Sequence, residues 1–140
     1  MKRRYFRICA VLLVLCSIFT SSALATEVRA SEQIRSYEMN VVQNGGGQLE
    51  IYFMIDGKNI MKRIGARSIA VYEPSGTVWS KVVSYNQDDA GMSVSNDFHH
   101  SNSILFNGTI GVQYQVVITV FAQDSSGSDS RTQTFYVRAT

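Results

Sequence analysis

Apolar residues at every second position are the feature that most restricts how this chain can fold. Within residues 112–122 the apolar positions of one parity include Tyr114, Val116, Ile118, Val120 and Ala122. Side chains alternate between the two faces of an extended strand, so a period of two predicts a long β-strand with one buried face. The chain has one proline and no long amphipathic helical pattern, so we expect an all-β protein.

The same alternation recurs along most of the sequence, and turn sequences at residues 44–47 and 73–76 separate the runs. Strands are predicted at residues 37–41, 49–55, 68–73, 78–85, 104–106, 112–122 and 131–138, with a short edge strand at 92–94. This spacing is typical of an antiparallel β-sandwich, here of about seven strands. The sheet assignment between Asn86 and Ser103 stays open at this point.

One short segment has a helical rather than an extended pattern. Ile60, Met61 and Ile64 are spaced so that they can share one face of a helix, and Gly65 could end it. We therefore predict one short helical turn near residues 58–65.

The N-terminus has the composition of a secretory signal peptide. Four basic residues precede a twelve-residue apolar run from Ile8 to Phe19, and a stretch of small residues ends at Ala25. A membrane span needs about 20 apolar residues. The sequence therefore predicts a cleavable signal at residues 1–25 and a secreted protein without a stable membrane anchor after cleavage. An uncleaved anchor and lipidation at Cys16 are the alternatives.

Removal of the signal changes the charge and the thiol content of the chain. The full chain has 13 basic and 11 acidic residues, and residues 1–25 contain four of the basic ones and both cysteines. The remainder has nine basic and eleven acidic residues, which disfavours a nucleic-acid-binding surface. Its length of about 115 residues fits one domain. We place that domain at residues 36–140, after a flexible segment at residues 26–35.

The last two predicted strands resemble the closing hairpin of immunoglobulin and fibronectin type III domains. Gly111-Val112-Gln113-Tyr114 is followed by an alternating strand, a polar loop at residues 123–130 and a final strand. The resemblance implies an immunoglobulin-like sandwich in which Tyr114 forms the tyrosine corner of that family. The immunoglobulin cysteine pair is absent, which indicates a divergent member. Ile64-Gly65-Ala66 and Tyr72-Glu73 also resemble small uncharacterised secreted proteins of Gram-positive bacteria, which implies no known activity.

Residues with catalytic or metal-binding chemistry are few and unfavourably spaced. No Gly-x-Ser-x-Gly sequence is present, so no constrained serine nucleophile is indicated. His99 and His100 are adjacent and should point to opposite faces of an extended segment, which disfavours a shared metal even with Asp97 nearby. The aspartates at residues 88–89, 124 and 129 lack calcium-loop spacing and are interpreted as turn residues. We predict no catalytic, cofactor-binding or metal-binding residues.

Aromatic residues are the strongest candidates for a binding surface. Tyr52 and Tyr72 fall on the predicted outer faces of their strands, and Trp79 and Tyr85 share one parity of theirs. Exposed aromatic rings stack on sugars or anchor protein partners. The alternative for Trp79 is that it fills the core.

These observations favour a secreted protein that binds rather than catalyses. The first hypothesis is an extracellular interaction module for a protein or a surface component. The second is a carbohydrate-binding module that uses Trp79, Tyr52 and Tyr72. A small secreted hydrolase is the least favoured interpretation, and the partner is expected to be an extracellular protein or glycan.

Overall fold

The structure, a computed structural model, describes residues 31–140. All regular elements in that range are β-strands with antiparallel pairing, which confirms the predicted all-β class. The strands are β1 (Ile34–Gly45), β2 (Gln48–Ser75), β3 (Val78–Asn86), β4 (Ser93–Asn107), β5 (Gln113–Gln123) and β6 (Ser128–Arg138). The predicted signal peptide at residues 1–25 lies outside the described residues.

A single long strand, β2, lies at the centre of the sheet and pairs with four others. Its first half pairs with β1 and with β4, and the pairing with β4 continues as far as Gly65. Its second half pairs with β3 and with β5, and β6 extends the sheet beyond β5. The six strands therefore form one continuous antiparallel sheet whose two halves share β2.

The sheet curls around one hydrophobic core to which both halves contribute. Leu49, Ile51, Phe53 and Ile55 are all fully buried, as their alternation predicted. The other half of the sheet adds Ile69, Val71, Val116, Ile118 and Val120 to the same cluster. Residues 31–140 contain no cysteine, so apolar burial has to stabilise the fold without disulfides.

Residues 58–65 belong to β2, so the predicted helical turn is wrong. The pairing of β2 with β4 skips residues 57–60, which bulge out opposite Phe98 alone. The bulge interrupts the period of two and places Met61 in the core and Ile60 in solvent. The helix-like spacing of Ile60, Met61 and Ile64 is therefore produced by an irregular β-strand.

The strand count differs from the prediction because predicted strands are joined. β2 contains both the 49–55 and the 68–73 predictions, and β4 contains both 92–94 (from residue 93) and 104–106. The joined β4 also assigns residues 93–103, since its first residues pair with β2 near Gly65, and residues 87–92 form the turn between β3 and β4.

Gly65 allows β2 and β4 to approach closely. It is buried, its φ is 151°, and a Cβ there would overlap the carbonyl oxygen of Met92 and the backbone of Ser93. The N–H of Ala66 donates a hydrogen bond of 2.7 Å to the same Met92 oxygen. Gly65 was predicted to end a helix, whereas its role is to fit one strand against another.

The segment before β1 is fixed to the β5–β6 loop. One carboxylate oxygen of Asp129 accepts hydrogen bonds from the Ser31 hydroxyl (2.6 Å) and from the backbone N–H groups of Glu32 (2.7 Å) and Gln33 (3.0 Å). The segment that was expected to be flexible as far as Arg35 is thus bound from Ser31 onwards.

Tyr114 fastens the start of β5 to the turn that precedes it. Its side chain is buried, and its hydroxyl accepts a hydrogen bond of 2.8 Å from the backbone N–H of Thr109. Its ring meets that of Phe106 edge-on, with centroids 5.0 Å apart. The hydroxyl of Tyr114 is thus bonded to the backbone five residues upstream.

Candidate functional site

The outer surface of β3, the second half of β2, β5 and β6 carries a cluster of aromatic side chains and is named the aromatic face. Tyr72 on β2 lies opposite Lys81 on β3 and Gln115 on β5, and Gln115 lies opposite Tyr136 on β6. Directly opposed residues of antiparallel strands point to the same face. These four side chains therefore form one row across the sheet.

Trp79 lies beside this row and is accessible to solvent. It pairs with Pro74 on β2, and 38% of its surface is exposed. Its ring centroid lies 5.8 Å from that of Tyr136, with the two planes inclined by 51°. The alternative in which Trp79 fills the core is therefore wrong.

A bulge in β3 explains why Trp79 and Tyr85 do not share a surface. The register between β2 and β3 passes from Val71–Val83 to Tyr72–Lys81, so Val82 is an extra residue. An extra residue reverses the side-chain alternation on one side of it.

Two predicted binding residues lie away from the aromatic face. Tyr85 pairs with Ile69 and packs against the core, so it belongs to the opposite side of the sheet. Tyr52 is half-buried on β2 between Asn40 and Ser103, on the outer surface of the other half of the sheet. Of the four predicted aromatic residues, the structure brings together Tyr72 and Trp79.

Tyr136 is the member of the aromatic face that sequence reasoning missed. It is 57% exposed, and its hydroxyl accepts a hydrogen bond of 3.0 Å from the Gln115 side-chain amide. Its signal was present in the sequence, because the apolar residues Phe135 and Val137 flank it and alternation places Tyr136 on the face opposite to theirs.

On the side of the Tyr72 row away from Trp79, the next rows of the aromatic face carry small, uncharged side chains. Continuing along the strands from the Tyr72 row, the opposed positions are Ser68, Ala70, Ser84, Val117, Thr119, Thr132 and Thr134. The hydroxyls of Thr119 and Thr132 are 2.9 Å apart and share a hydrogen bond. Lys81 is the one charged side chain of these described rows, and Arg138, opposite Gln113, follows Tyr136 on the same face, so the surface combines rings, neutral hydrogen-bonding groups and a few cations.

Ser36, Asp56 and His99 form a hydrogen-bonded row on the outer surface of the other half-sheet. The Ser36 hydroxyl donates to one Asp56 oxygen at 2.6 Å, and the His99 Nδ1 lies 2.6 Å from the other. The Ser36 hydrogen bond, followed by that of His99, holds the pKa of Asp56 below its ordinary value. A serine nucleophile needs a base such as histidine as its partner. Here the hydroxyl binds the carboxylate, so the row lacks the geometry of a hydrolase site.

The two histidines make separate contacts. His99 faces Asp56, whereas the His100 Nε2 lies 2.8 Å from the carbonyl oxygen of Gly91 and the His100 ring packs 5.6 Å from that of Phe53. Residues 31–140 contain no group of three or more His, Cys, Asp or Glu side chains that could hold a metal ion.

The loop aspartates are engaged by nearby donors. Asp124 accepts hydrogen bonds from the backbone N–H groups of Ser126 (2.7 Å) and Gly127 (3.0 Å). Asp88 forms an ion pair of 2.6 Å with Arg63. Aspartate side chains that bind nearby backbone in this way stabilise turns.

Compared with known proteins, the chain matches no protein family, no curated protein and no solved structure. Over residues 31–140 the structure contains no helix with the length and apolar character that crossing a membrane requires. The resemblance to immunoglobulin and fibronectin domains therefore rests on the residues of the chain alone.

Proposed function

We propose that this chain is an exported, non-catalytic binding module that binds an extracellular glycan through the aromatic face. The observation that carries the proposal is the exposure of Trp79 beside Tyr136, in the same surface as Tyr72. Such rings present broad apolar surfaces at low conformational cost and suit the C–H faces of sugar rings.

The side chains around the rings favour a neutral ligand. Gln115 and the hydroxyls of Thr119, Thr132 and Thr134 supply donors and acceptors that can exchange hydrogen bonds with sugar hydroxyls. The cations of this surface are few: Lys81 lies in the Tyr72 row, and Arg138 beside Tyr136 already donates a hydrogen bond to the Gly111 carbonyl oxygen. A neutral polysaccharide or oligosaccharide lying across β3, β2, β5 and β6 fits this surface.

An extracellular protein is the second candidate ligand. Tryptophan and tyrosine are also the residue types that dominate protein–protein hot spots. The same Trp79–Tyr136 pair could anchor such a partner, so the two hypotheses share a surface and differ in the ligand.

Export is supported by the sequence of residues 1–25, with its basic start, short apolar run and small residues up to Ala25. The non-catalytic character is supported by the Ser36–Asp56–His99 row, in which the hydroxyl is bound by the carboxylate rather than by the imidazole.

An immunoglobulin-like or fibronectin-like sandwich is the fold proposed for the domain, and the strand pairings support it. Counting β2 twice gives seven strands. One set is then β1, the first half of β2 and β4, and the other is β3, the second half of β2, β5 and β6. In the letters of that family these sets correspond to A-B-E and C′-C-F-G. The Tyr114–Thr109 hydrogen bond at the start of β5 adds to this support.

Binding to immobilised neutral polysaccharides, measured with the exported protein, tests the proposed function. Trp79→Ala and Tyr136→Ala should each weaken binding about tenfold or more, because each removes a stacking surface. Tyr37→Ala is the matched control, since Tyr37 is an exposed tyrosine of β1 outside the aromatic face, and its binding should not change.

The outcomes separate the two ligands. If the chain captured a defined extracellular protein in a manner that required Trp79, and bound no polysaccharide, the ligand of the aromatic face would be that protein. Polysaccharide binding that survives both substitutions would show that the aromatic face is not the site.

A further inference from the structure

A second exposed apolar cluster lies on β2 and β4, away from the aromatic face. Ile60 is 69% exposed and Phe98 is 59% exposed. The two residues belong to one irregularity of the sheet, since residues 57–60 bulge out of β2 opposite Phe98. They line the same open hollow, of about 520 Å³. Two large side chains that protrude together are costly to leave in water.

Basic side chains surround this cluster. Arg35 and Lys58 line the hollow with Ile60 and Phe98, and the exposed Lys62 follows two residues after Ile60. The described chain as a whole is acidic, with eight basic and ten acidic residues in 31–140. The concentration of positive charge around the apolar pair is therefore local. We call Arg35, Lys58, Ile60 and Phe98 the bulge patch.

Two neighbouring carboxylates, Asp56 and Asp97, accept hydrogen bonds from other groups. Asp56 is hydrogen-bonded to Ser36 and His99. Asp97 accepts hydrogen bonds from the backbone N–H groups of Phe98 (2.7 Å) and His99 (3.2 Å). No side-chain ion pair joins them to the cations of the bulge patch within the described residues. Arg35 interacts with Asp56 only through space, and the Lys58 ammonium contacts a neutral carbonyl, so both retain positive charge that can act on an external surface.

We propose that the bulge patch docks the domain on an anionic lipid membrane, with Ile60 and Phe98 inserted at the headgroup level. Apolar side chains that enter the interface and cations that contact anionic headgroups are the two components of peripheral membrane binding. An acidic partner protein would satisfy the cations, but the protruding Ile60 and Phe98 suit a deformable apolar layer.

The position of the bulge patch, close to the first described residues of the chain, supports binding to a membrane. The N–H of Lys58 donates a hydrogen bond of 2.9 Å to the carbonyl oxygen of Gln33, and the Lys58 ammonium contacts the carbonyl of Ser31. The bulge patch therefore lies where the described chain begins. The 30 preceding residues contain the apolar run from Ile8 to Phe19, which would bring this end of the domain to a membrane surface during export.

The first experiment places the chain's single tryptophan in the patch. In a Trp79→Phe background, Phe98→Trp should show a blue-shifted emission with vesicles of equal phosphatidylglycerol and phosphatidylcholine, and brominated acyl chains should quench it. Ile110→Trp in the same background is the matched control. Ile110 is 66% exposed and lies near Gly47, at the far end of the first half of β2, so its emission should not respond.

The second experiment measures vesicle partition of the otherwise unchanged chain. Ile60→Ser with Phe98→Ser should lower partition about tenfold or more, and Arg35→Gln with Lys58→Gln should lower it about fivefold for each charge removed at low salt. Ile110→Ser and Lys81→Gln should leave it unchanged. Three results would each overturn the proposal: a Phe98→Trp protein whose emission ignores the vesicles, equal partition into pure phosphatidylcholine, or equal quenching of the Ile110→Trp control.

Discussion

The hydroxyl of Tyr114 accepts a hydrogen bond of 2.8 Å from the backbone N–H of Thr109, five residues earlier in the chain. This hydrogen bond links the connection between β4 and β5 to the beginning of β5. The Tyr114 ring itself is buried. Without the hydroxyl, the Thr109 N–H would lose its hydrogen-bond acceptor, which would cost free energy. The hydroxyl is therefore expected to stabilise the folded state.

Replacement of this hydroxyl tests its contribution to stability. Tyr114→Phe should lower the free energy of unfolding by about 1–3 kcal/mol, because the Thr109 N–H loses its acceptor. Tyr136→Phe is the matched control, since Tyr136 is exposed and should change stability by less than about 0.5 kcal/mol. Urea unfolding at neutral pH measures both, and equal effects would contradict the role assigned to Tyr114.

A glycine pair tests the close approach of β2 and β4. Gly65→Ala should destabilise the fold by more than about 3 kcal/mol, because the added Cβ would overlap the backbone at Met92 and Ser93. Gly76→Ala should cost about 1–2 kcal/mol, since Gly76 has a φ of 63° but open space around it. Denaturant midpoints compare the two variants, and a Gly65→Ala protein as stable as Gly76→Ala would refute the close packing of β2 against β4.

Fluorescence reports directly on Trp79, which is the only tryptophan of the chain. Because the ring is partly exposed beside Tyr136, acrylamide and iodide should quench its emission efficiently in the folded state. A blue-shifted emission that iodide leaves unchanged would place the ring in the core and remove the aromatic face.

Acid should weaken the attachment of the segment before β1. The Ser31 hydroxyl, followed by the Gln33 N–H, holds the pKa of Asp129 below its ordinary value of 3.8. Folding therefore favours the ionised carboxylate. Its contribution to stability is complete above pH 3.8 and is lost as the pH falls through the lower pKa of the folded state.

Asp129→Asn checks this dependence. Its stability should differ from that of the parent most at neutral pH, and the difference should shrink as the pH falls below 3.8. Urea unfolding at several pH values measures the difference. If the gap between the two proteins stayed constant down to acid pH, Asp129 would not be the group responsible.

The regular strands were predictable because burial follows parity there. The alternation at Leu49–Ile55 and across β5 identified buried positions directly, since one face of each strand packs on the core. The same rule identified Tyr72 as an outward-facing residue of the aromatic face, and it could also have identified Tyr136.

The errors lie where an extra residue breaks that parity. The bulge at residues 57–60 imitated a helical spacing, and the extra Val82 separated Trp79 from Tyr85. Bulges depend on which strand pairs with which, and pairing between distant segments has no local signature. The polar β4 was also only partly recognised, because it pairs on one side alone and shows little alternation.

Because both halves of the sheet share β2, the smallest fragment expected to fold contains both halves. A fragment limited to residues 68–140 would keep the aromatic side chains but lose the Leu49–Ile55 layer beneath them, and the complementary fragment would lack β5. Contacts such as Gln48–Asn107 join residues far apart in the chain, so a single, slow, all-or-none folding step is expected. Truncation to either half should abolish folding rather than isolate a binding unit.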